Sequence, residues 1–206
     1  MSNKKIEMSL LYRAIAHVFV RLVYRPKYVG FENIPETGGA IIISNHVSYM
    51  DGPLIDAGCK RNLRYVIDET IYNFPLIHYL MILNRAIPIA PNHKSVQAAF
   101  DEISAGLKAG DLICIFPEGF LTFTGGLGRF RGGVESIIKR DPYPIIPISI
   151  SGLWGSIFSR KFRGSWKRLI PRNPMQKVVL KCGQPIAPEN ANVNYLQAAV
   201  LRLKYS

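Results

Sequence analysis

Acidic residues are scarce in this chain, and from Pro142 to Pro188 there is not one. Against 14 Asp and Glu stand 26 Lys and Arg, a formal charge of +12. A surface this basic suits an anionic partner: nucleic acid, an anionic bilayer or a phosphate-bearing substrate. Cysteine is rarer still. Cys59, Cys114 and Cys182 are far apart and odd in number, with no C-x-x-C or other metal-ligand spacing. That argues against a disulfide framework or a thiolate metal site, and a reducing, cytoplasmic compartment fits best. Also missing from the N-terminal stretch is an unbroken apolar run of the kind a signal peptide or a bilayer span requires, because Arg13, His17 and Arg21 interrupt it. No internal repeat, low-complexity tract or splitting linker is present, so the 206 residues read as one folded unit.

What is present is core-forming material, since 48% of the chain is hydrophobic. Residues 27–34, 40–44, 63–67, 86–90, 111–116, 143–150 and 178–181 read as strands. Helices are expected over 54–58, 75–83, 94–107, 134–139 and 195–204. The clearest is 94–107, where Val96, Ala99, Phe100, Ile103 and Leu107 form one stripe and Gly110 closes the helix. Residues 75–83 are apolar nearly all round, so that helix is either buried or membrane-facing. Strands alternating with helices predict a single α/β domain, residues 28–206, around a largely parallel central sheet.

Residues 1–27 are expected to hold an amphipathic helix. Arg13, His17 and Arg21 recur every four residues on one face, with Leu11, Ile15, Val18 and Leu22 opposite. Such a helix either lies in a membrane interface with its arginines reaching headgroups, or packs on its own domain.

Two stretches carry chemistry. In the first, His46 and Asp51 follow the end of the 40–44 strand, five residues apart, where a loop can fold one back onto the other. A carboxylate beside an imidazole keeps one ring nitrogen protonated and leaves the other as a proton acceptor, which equips a general base near neutral pH. In the second, Phe116, Pro117, Glu118 and Gly119 follow the 111–116 strand, and ligands of open α/β sheets gather at such carboxyl ends. A glutamate there can bind a polyol hydroxyl or orient a loop. Downstream, the glycine-rich run 124–133 carries Arg129, Arg131 and Gly132 and leads into a helix, so N–H groups and guanidinium can together cradle a phosphate. It is not a Walker loop, because no G-K-[ST] follows.

His46-x-x-x-x-Asp51, then Phe116-Pro-Glu-Gly119, then Phe130-Arg-Gly-Gly133 and Ile146-Pro-Ile148, resembles the order of motifs in the glycerolipid acyltransferases. These are the 1-acylglycerol-3-phosphate acyltransferases and their lysophospholipid relatives, and the resemblance runs from about residue 29 to 188. It implies a glycerol-3-phosphate acyltransferase-like fold and transfer of a fatty acyl group from acyl-CoA or acyl-acyl-carrier protein to a free glycerol hydroxyl. It further implies that His46 takes the hydroxyl proton while Asp51 holds its tautomer, with no metal, cofactor or covalent acyl-enzyme. Asn45, Ser48, Phe116, Pro117, Glu118, Gly119, Arg129, Arg131 and Gly132 are then expected to bind substrate. Two arginines of the family pattern are absent. Pro91 and Leu121 stand in their places, and Arg85 and Arg131 are the expected substitutes. The continuation into Gly152-Leu-Trp-Gly-Ser-Ile-Phe-Ser-Arg160 is similar to bacterial 2-acylglycerophosphoethanolamine acyltransferase modules. The resemblance therefore implies a lysophospholipid or lysophosphatidic acid as the expected acceptor.

The acid-free segment contains Arg160, Lys161, Arg163, Lys167, Arg168, Arg172, Lys177 and Lys181, with Phe158, Phe162, Trp166 and Leu169 interleaved. Basic and aromatic residues so mixed predict peripheral or monotopic attachment to an anionic membrane surface, at the cytoplasmic face. Two readings compete. A catalytically lapsed membrane adaptor would keep the basic surface without needing His46 or Asp51. A nucleic-acid-binding domain would also suit the charge, but no base-reading motif appears and nucleic acid is not the expected partner.

Overall fold

Ala40–Ser44 forms β2, the central strand, and every residue of it is buried. Its side chains alternate between two cores, as a strand's period of two dictates. Ile41 and Ile43 join one core cluster, and Ala40 and Ile42 join the other. A strand covered on both faces lies inside a three-layer α/β domain.

In the computed structural model, which describes residues 3–156, 158–162 and 177–206, seven strands surround this centre. They are β1 (Lys27–Val29), β2, β3 (Leu63–Asp68), β4 (Ile87–Ile89), β5 (Leu112–Ile115), β6 (Ile145–Ser151) and β7 (Val179–Cys182), ordered β1-β7-β6-β2-β5-β3-β4. All neighbouring pairs are parallel except β6 with β7. The expected strand over 27–34 is shorter, because Gly30 turns left-handed (φ 74°) into a short 3-10 turn, Phe31–Asn33.

The helices are α1 (Asn3–Tyr24), α2 (Asp51–Gly58), α3 (Glu69–Tyr72), α4 (Pro75–Leu83), α5 (His93–Lys108), α6 (Gly133–Arg140) and α7 (Val193–Tyr205). The sequence did not announce α3, a single turn capped by Asp68. One core packs Val20 and Tyr24 of α1 and Leu54 and Ile55 of α2 on the sheet. The other packs Ile103 and Leu107 of α5, Val134 and Ile137 of α6, and Leu196 and Val200 of α7. Side chains of Asn92 and Asn192 each accept a backbone N–H in the first turn of α5 and α7, satisfying an otherwise orphaned donor.

The orientation of α1 is the reverse of an ordinary surface helix. Its polar stripe faces inward. Arg13 Nε reaches Asp56 Oδ2 at 3.2 Å, its Nη2 donates to the carbonyls of Cys59 (2.8 Å) and Arg61 (3.0 Å), and His17 Nε2 meets Asp56 Oδ2 at 2.9 Å. Cations at the carbonyl-rich end of α2 also complement its dipole. The apolar stripe is left outside, with Leu11, Ile15 and Leu22 each more than 60% exposed. Of the two settings foreseen for this helix, the arginines serve packing on its own domain, holding α1 in place. Val20 and Tyr24 at the end of α1 pack into the core. α4 contacts α1, buries Leu83 and exposes Phe74 just before it, together with Tyr79 and Ile82. Among the described residues, no helix is long and apolar enough to cross a membrane.

Candidate active site

β2 and β5 run side by side and parallel, so His46 and the 116–119 stretch emerge at the same edge of the sheet. The loop after β2 then wraps around one carboxylate oxygen. Asp51 Oδ2 accepts the N–H groups of Val47 (2.6 Å) and Ser48 (2.9 Å) and lies 2.8 Å from His46 Nδ1. An ionised carboxylate only accepts, so Nδ1 carries the proton and Nε2 is left as the acceptor. Asp51 is completely buried, and its position in the first turn of α2 favours negative charge. The His46 side chain keeps 20% of its surface exposed.

His46 is fixed from three further directions. Its ring stacks on Phe116, centroids 4.1 Å apart and planes at 15°. Its N–H donates to Glu118 Oε1 at 2.8 Å, and its carbonyl accepts the Thr122 N–H at 2.8 Å. Glu118, fully buried, accepts the Gly128 N–H on its other oxygen at 2.7 Å. Of the two roles foreseen for Glu118, loop orientation is the one the geometry supports, since each oxygen holds a backbone N–H and the side chain is fully buried. Burial raises its pKa above the ordinary carboxylate value, against the opposing pull of its two backbone donors and of His46.

Several expected substrate ligands have structural work instead. Asn45 is buried, and its amide pairs with β6 in both directions, Nδ2 to the Ile150 carbonyl at 2.9 Å and Ile150 N–H to Oδ1 at 2.7 Å. Ser48 is buried and its hydroxyl accepts the Met50 N–H. Pro117 is buried, and its carbonyl accepts the Arg131 N–H at 2.9 Å. Arg85 is at the wrong edge. It precedes β4, and its guanidinium makes two bonds to Asp111, at the start of β5, at 3.1 and 2.9 Å. Arg64 joins the same Asp111 from β3. That network closes the amino-terminal edge of the sheet, opposite His46.

In the glycine-rich run, several N–H groups are committed within the fold. Gly125, Gly126, Gly128, Phe130 and Arg131 donate to Thr122, Thr124, Glu118, Gln197 and Pro117 in turn. Gly132 and Gly133, at the start of α6, are not among these committed donors. Arg129, Arg131 and Gly132 are exposed on the rim. Arg131 is the better placed arginine, since a side-chain carbon at Gly119 (φ 74°) would lie 3.1 Å from its Nε, and its Cζ sits 5.1 Å from the Phe120 ring centroid.

Three contributors escaped the sequence reading. Thr122 fixes the His46 carbonyl, and Gln197 and Lys204 of α7 secure the loop, Lys204 Nζ donating to the Gly125 carbonyl at 3.1 Å. None has a local signature, because each acts across 67 residues or more. Of the basic-aromatic segment, Arg163, Trp166, Lys167, Arg168, Leu169 and Arg172 lie outside the described residues, as does the Phe162 side chain.

The same fold occurs in a known structure, and known sequences resemble this chain. Across 96% of this chain and 77% of its own, the crystal structure of a 1-acyl-sn-glycerophosphate acyltransferase from Thermotoga maritima superimposes with a TM-score of 0.70 at 21% identity. A probable 1-acyl-sn-glycerol-3-phosphate acyltransferase of Mycoplasma pneumoniae is 23% identical over 91% of this chain and 71% of its own length. An uncharacterized protein of Mycobacterium bovis is 28% identical over 70% of this chain, which spans only 42% of that relative's length. The family model described as Acyltransferase matches residues 25–151, more than half of the 206, and the chain belongs to that family.

Proposed function

We propose that this protein transfers a fatty acyl group from an acyl thioester to the free hydroxyl of a lysophospholipid or a 1-acylglycerol-3-phosphate, at a membrane surface, in phospholipid synthesis or remodelling. The observation that carries the reading is the His46–Asp51 pair, with Nδ1 committed to a buried carboxylate and Nε2 left as the acceptor. Nε2 takes the hydroxyl proton as the acceptor oxygen attacks the thioester carbonyl. The tetrahedral adduct then expels the thiolate, which receives the proton from the imidazolium and departs as the free thiol. Asp51 stabilises the transient imidazolium and fixes the ring's tautomer, the part a buried carboxylate plays in a histidine-based triad. Each step uses groups of the enzyme and the two substrates, with no metal, cofactor or covalent acyl-enzyme.

The membrane setting is supported by the outward apolar stripe of α1 beside the exposed Phe74, Tyr79 and Ile82. Such a face buries in the acyl-headgroup boundary, and the excess of basic residues favours an anionic leaflet. We place the protein at the cytoplasmic face, attached without spanning, with acyl-CoA or acyl-acyl-carrier protein as donor.

The test is single-turnover acyl transfer on anionic liposomes with wild type and His46→Ala, offering both donors and both acceptor classes. General-base catalysis contributes roughly 10²–10⁴-fold, so the variant is expected to lose at least a hundredfold while still folding. Loss of only about tenfold would remove His46 as the base. Liposome binding without product from any pair would replace the enzyme with an adaptor.

A further inference from the structure

With Arg85 at the far edge of the sheet, Arg131 is one guanidinium near the site. A second, Arg160, connects to it through two aromatic rings. Residues 158–160 pair with the His46 loop through the Tyr49 N–H to Phe158 carbonyl bond (3.4 Å) and a Ser48–Ser159 bridge. Ser159 in turn accepts the Gly155 N–H and donates to the Ser156 carbonyl, which fixes the turn that presents Arg160. Arg160 Cζ lies 4.6 Å from the centroid of Phe123, whose neighbour Thr122 holds the His46 carbonyl. Phe120 and Phe123 approach each other at 5.6 Å, so Arg131, Phe120, Phe123 and Arg160 form a continuous row beside His46.

Neither arginine has a carboxylate partner among the described residues, and residues 142–188 contain no acid that could supply one to Arg160. The Nε of Arg160 is enclosed with no hydrogen-bond acceptor. A guanidinium ordered by stacking, lacking a counter-charge, is pre-organised for a phosphate, whose oxygens its planar fork matches.

We infer that Arg160, stacked on Phe123 and braced against the His46 loop, binds the phosphate of the acceptor together with Arg131. The two guanidiniums hold the headgroup end so that the free hydroxyl meets His46 Nε2. This rests on the acyl-transfer reading, and it adds a ligand from outside the 25–151 stretch that defines the family match.

The experiment has a binding arm and a kinetic arm. Calorimetric titration of glycerol 3-phosphate into wild type, Arg160→Gln, Arg160→Lys and Phe123→Leu reads phosphate binding without chemistry. Arg160→Gln is expected to weaken it by about tenfold to a hundredfold, the loss of a charged hydrogen-bond donor. Arg160→Lys is expected to recover only part, because an ammonium lacks the fork. Phe123→Leu should fall between wild type and Arg160→Gln. In steady state, acceptor KM should rise by a similar factor while kcat and donor KM stay within about threefold.

Unchanged glycerol 3-phosphate affinity in folded Arg160→Gln would overturn the assignment. So would a rise confined to the KM for acyl-CoA and absent with acyl-pantetheine, which lacks the nucleotide phosphates, since Arg160 would then read the donor. A wild type that binds glycerol 3-phosphate through Arg160 yet transfers no acyl group would support the phosphate site and sink the acyl-transfer reading alone.

Discussion

Glu118 holds the main chain of His46, not its ring, with Oε1 accepting the His46 N–H at 2.8 Å while Oε2 accepts that of Gly128 at 2.7 Å. One buried carboxylate thus ties the His46 loop to the glycine-rich loop. Glu118→Gln removes an acceptor and points an NH₂ group at a backbone N–H donor. Leaving a buried donor unmet costs about 1–3 kcal/mol. The variant is expected to lose that much in urea denaturation and to lose kcat more than it gains KM. Wild-type kcat in a folded Glu118→Gln would show that the tie is irrelevant to turnover.

The same residue gives a pH signature. Burial, the dominant cause, raises the Glu118 pKa above its ordinary 4.5, so the folded chain binds this proton more tightly than the unfolded one. Between 4.5 and the raised value the native state therefore carries the extra proton, and stability falls as pH rises through that window. Glu118→Gln lacks this titration. The stability difference, wild type minus variant, is expected to shrink as pH rises from about 4 upward and then level off. Paired urea titrations across pH 4–8 read it, and a difference that grows with pH would reverse the assignment.

The meeting of His46 with Asp51 and with the 116–119 stretch was legible because these residues follow two strand ends, and strand ends can be read from apolar runs. The helix periods were legible for the same reason, α5 from 93 to 108 against an expected 94–107. What periodicity could not give is direction. It separated the two stripes of α1 but not which one faces inward, because that depends on Asp56 and the carbonyls at the end of α2. It placed Arg85 next to a strand without saying that the strand's amino end, where Asp111 waits, is the wrong edge. Polar neighbours of a motif also misled. Asn45 adjoins His46, yet its amide completes β6, 105 residues away.

The inverted α1 makes two substitutions separable. Arg13→Ala removes bonds to Asp56 and to the Cys59 and Arg61 carbonyls, on the face turned toward the domain. It should lower stability by about 1–3 kcal/mol, as loss of hydrogen bonds from a charged group does. Ile15→Asp and Leu22→Asp act on exposed positions and should leave the melting temperature nearly unchanged while sharply reducing co-sedimentation with anionic liposomes. Were Ile15→Asp to unfold the protein and spare liposome binding, the apolar stripe would be a buried protein contact and not a membrane face.

The last prediction concerns α7, which lies outside the residues matched by the family model. Gln197 Oε1 accepts the Phe130 N–H at 3.0 Å, and Lys204 Nζ donates to the Gly125 carbonyl at 3.1 Å, so one helix grips the glycine-rich loop at two points. Partial burial lowers the Lys204 pKa, with the Glu118 carboxylate opposing that shift. Lys204 is thus coupled through space to the residue that holds the main chain of His46. Lys204→Met keeps the length of the stem but removes both the carbonyl donor and the charge. It is expected to reduce kcat several-fold, to speed proteolytic cleavage between residues 119 and 131, and to change global stability by no more than about 1–2 kcal/mol. Lys204→Arg should restore most of the protection, since it can still donate to Gly125. Equal kcat in all three proteins, with equal cleavage, would mean that the loop holds its shape through Glu118 and Thr122 alone.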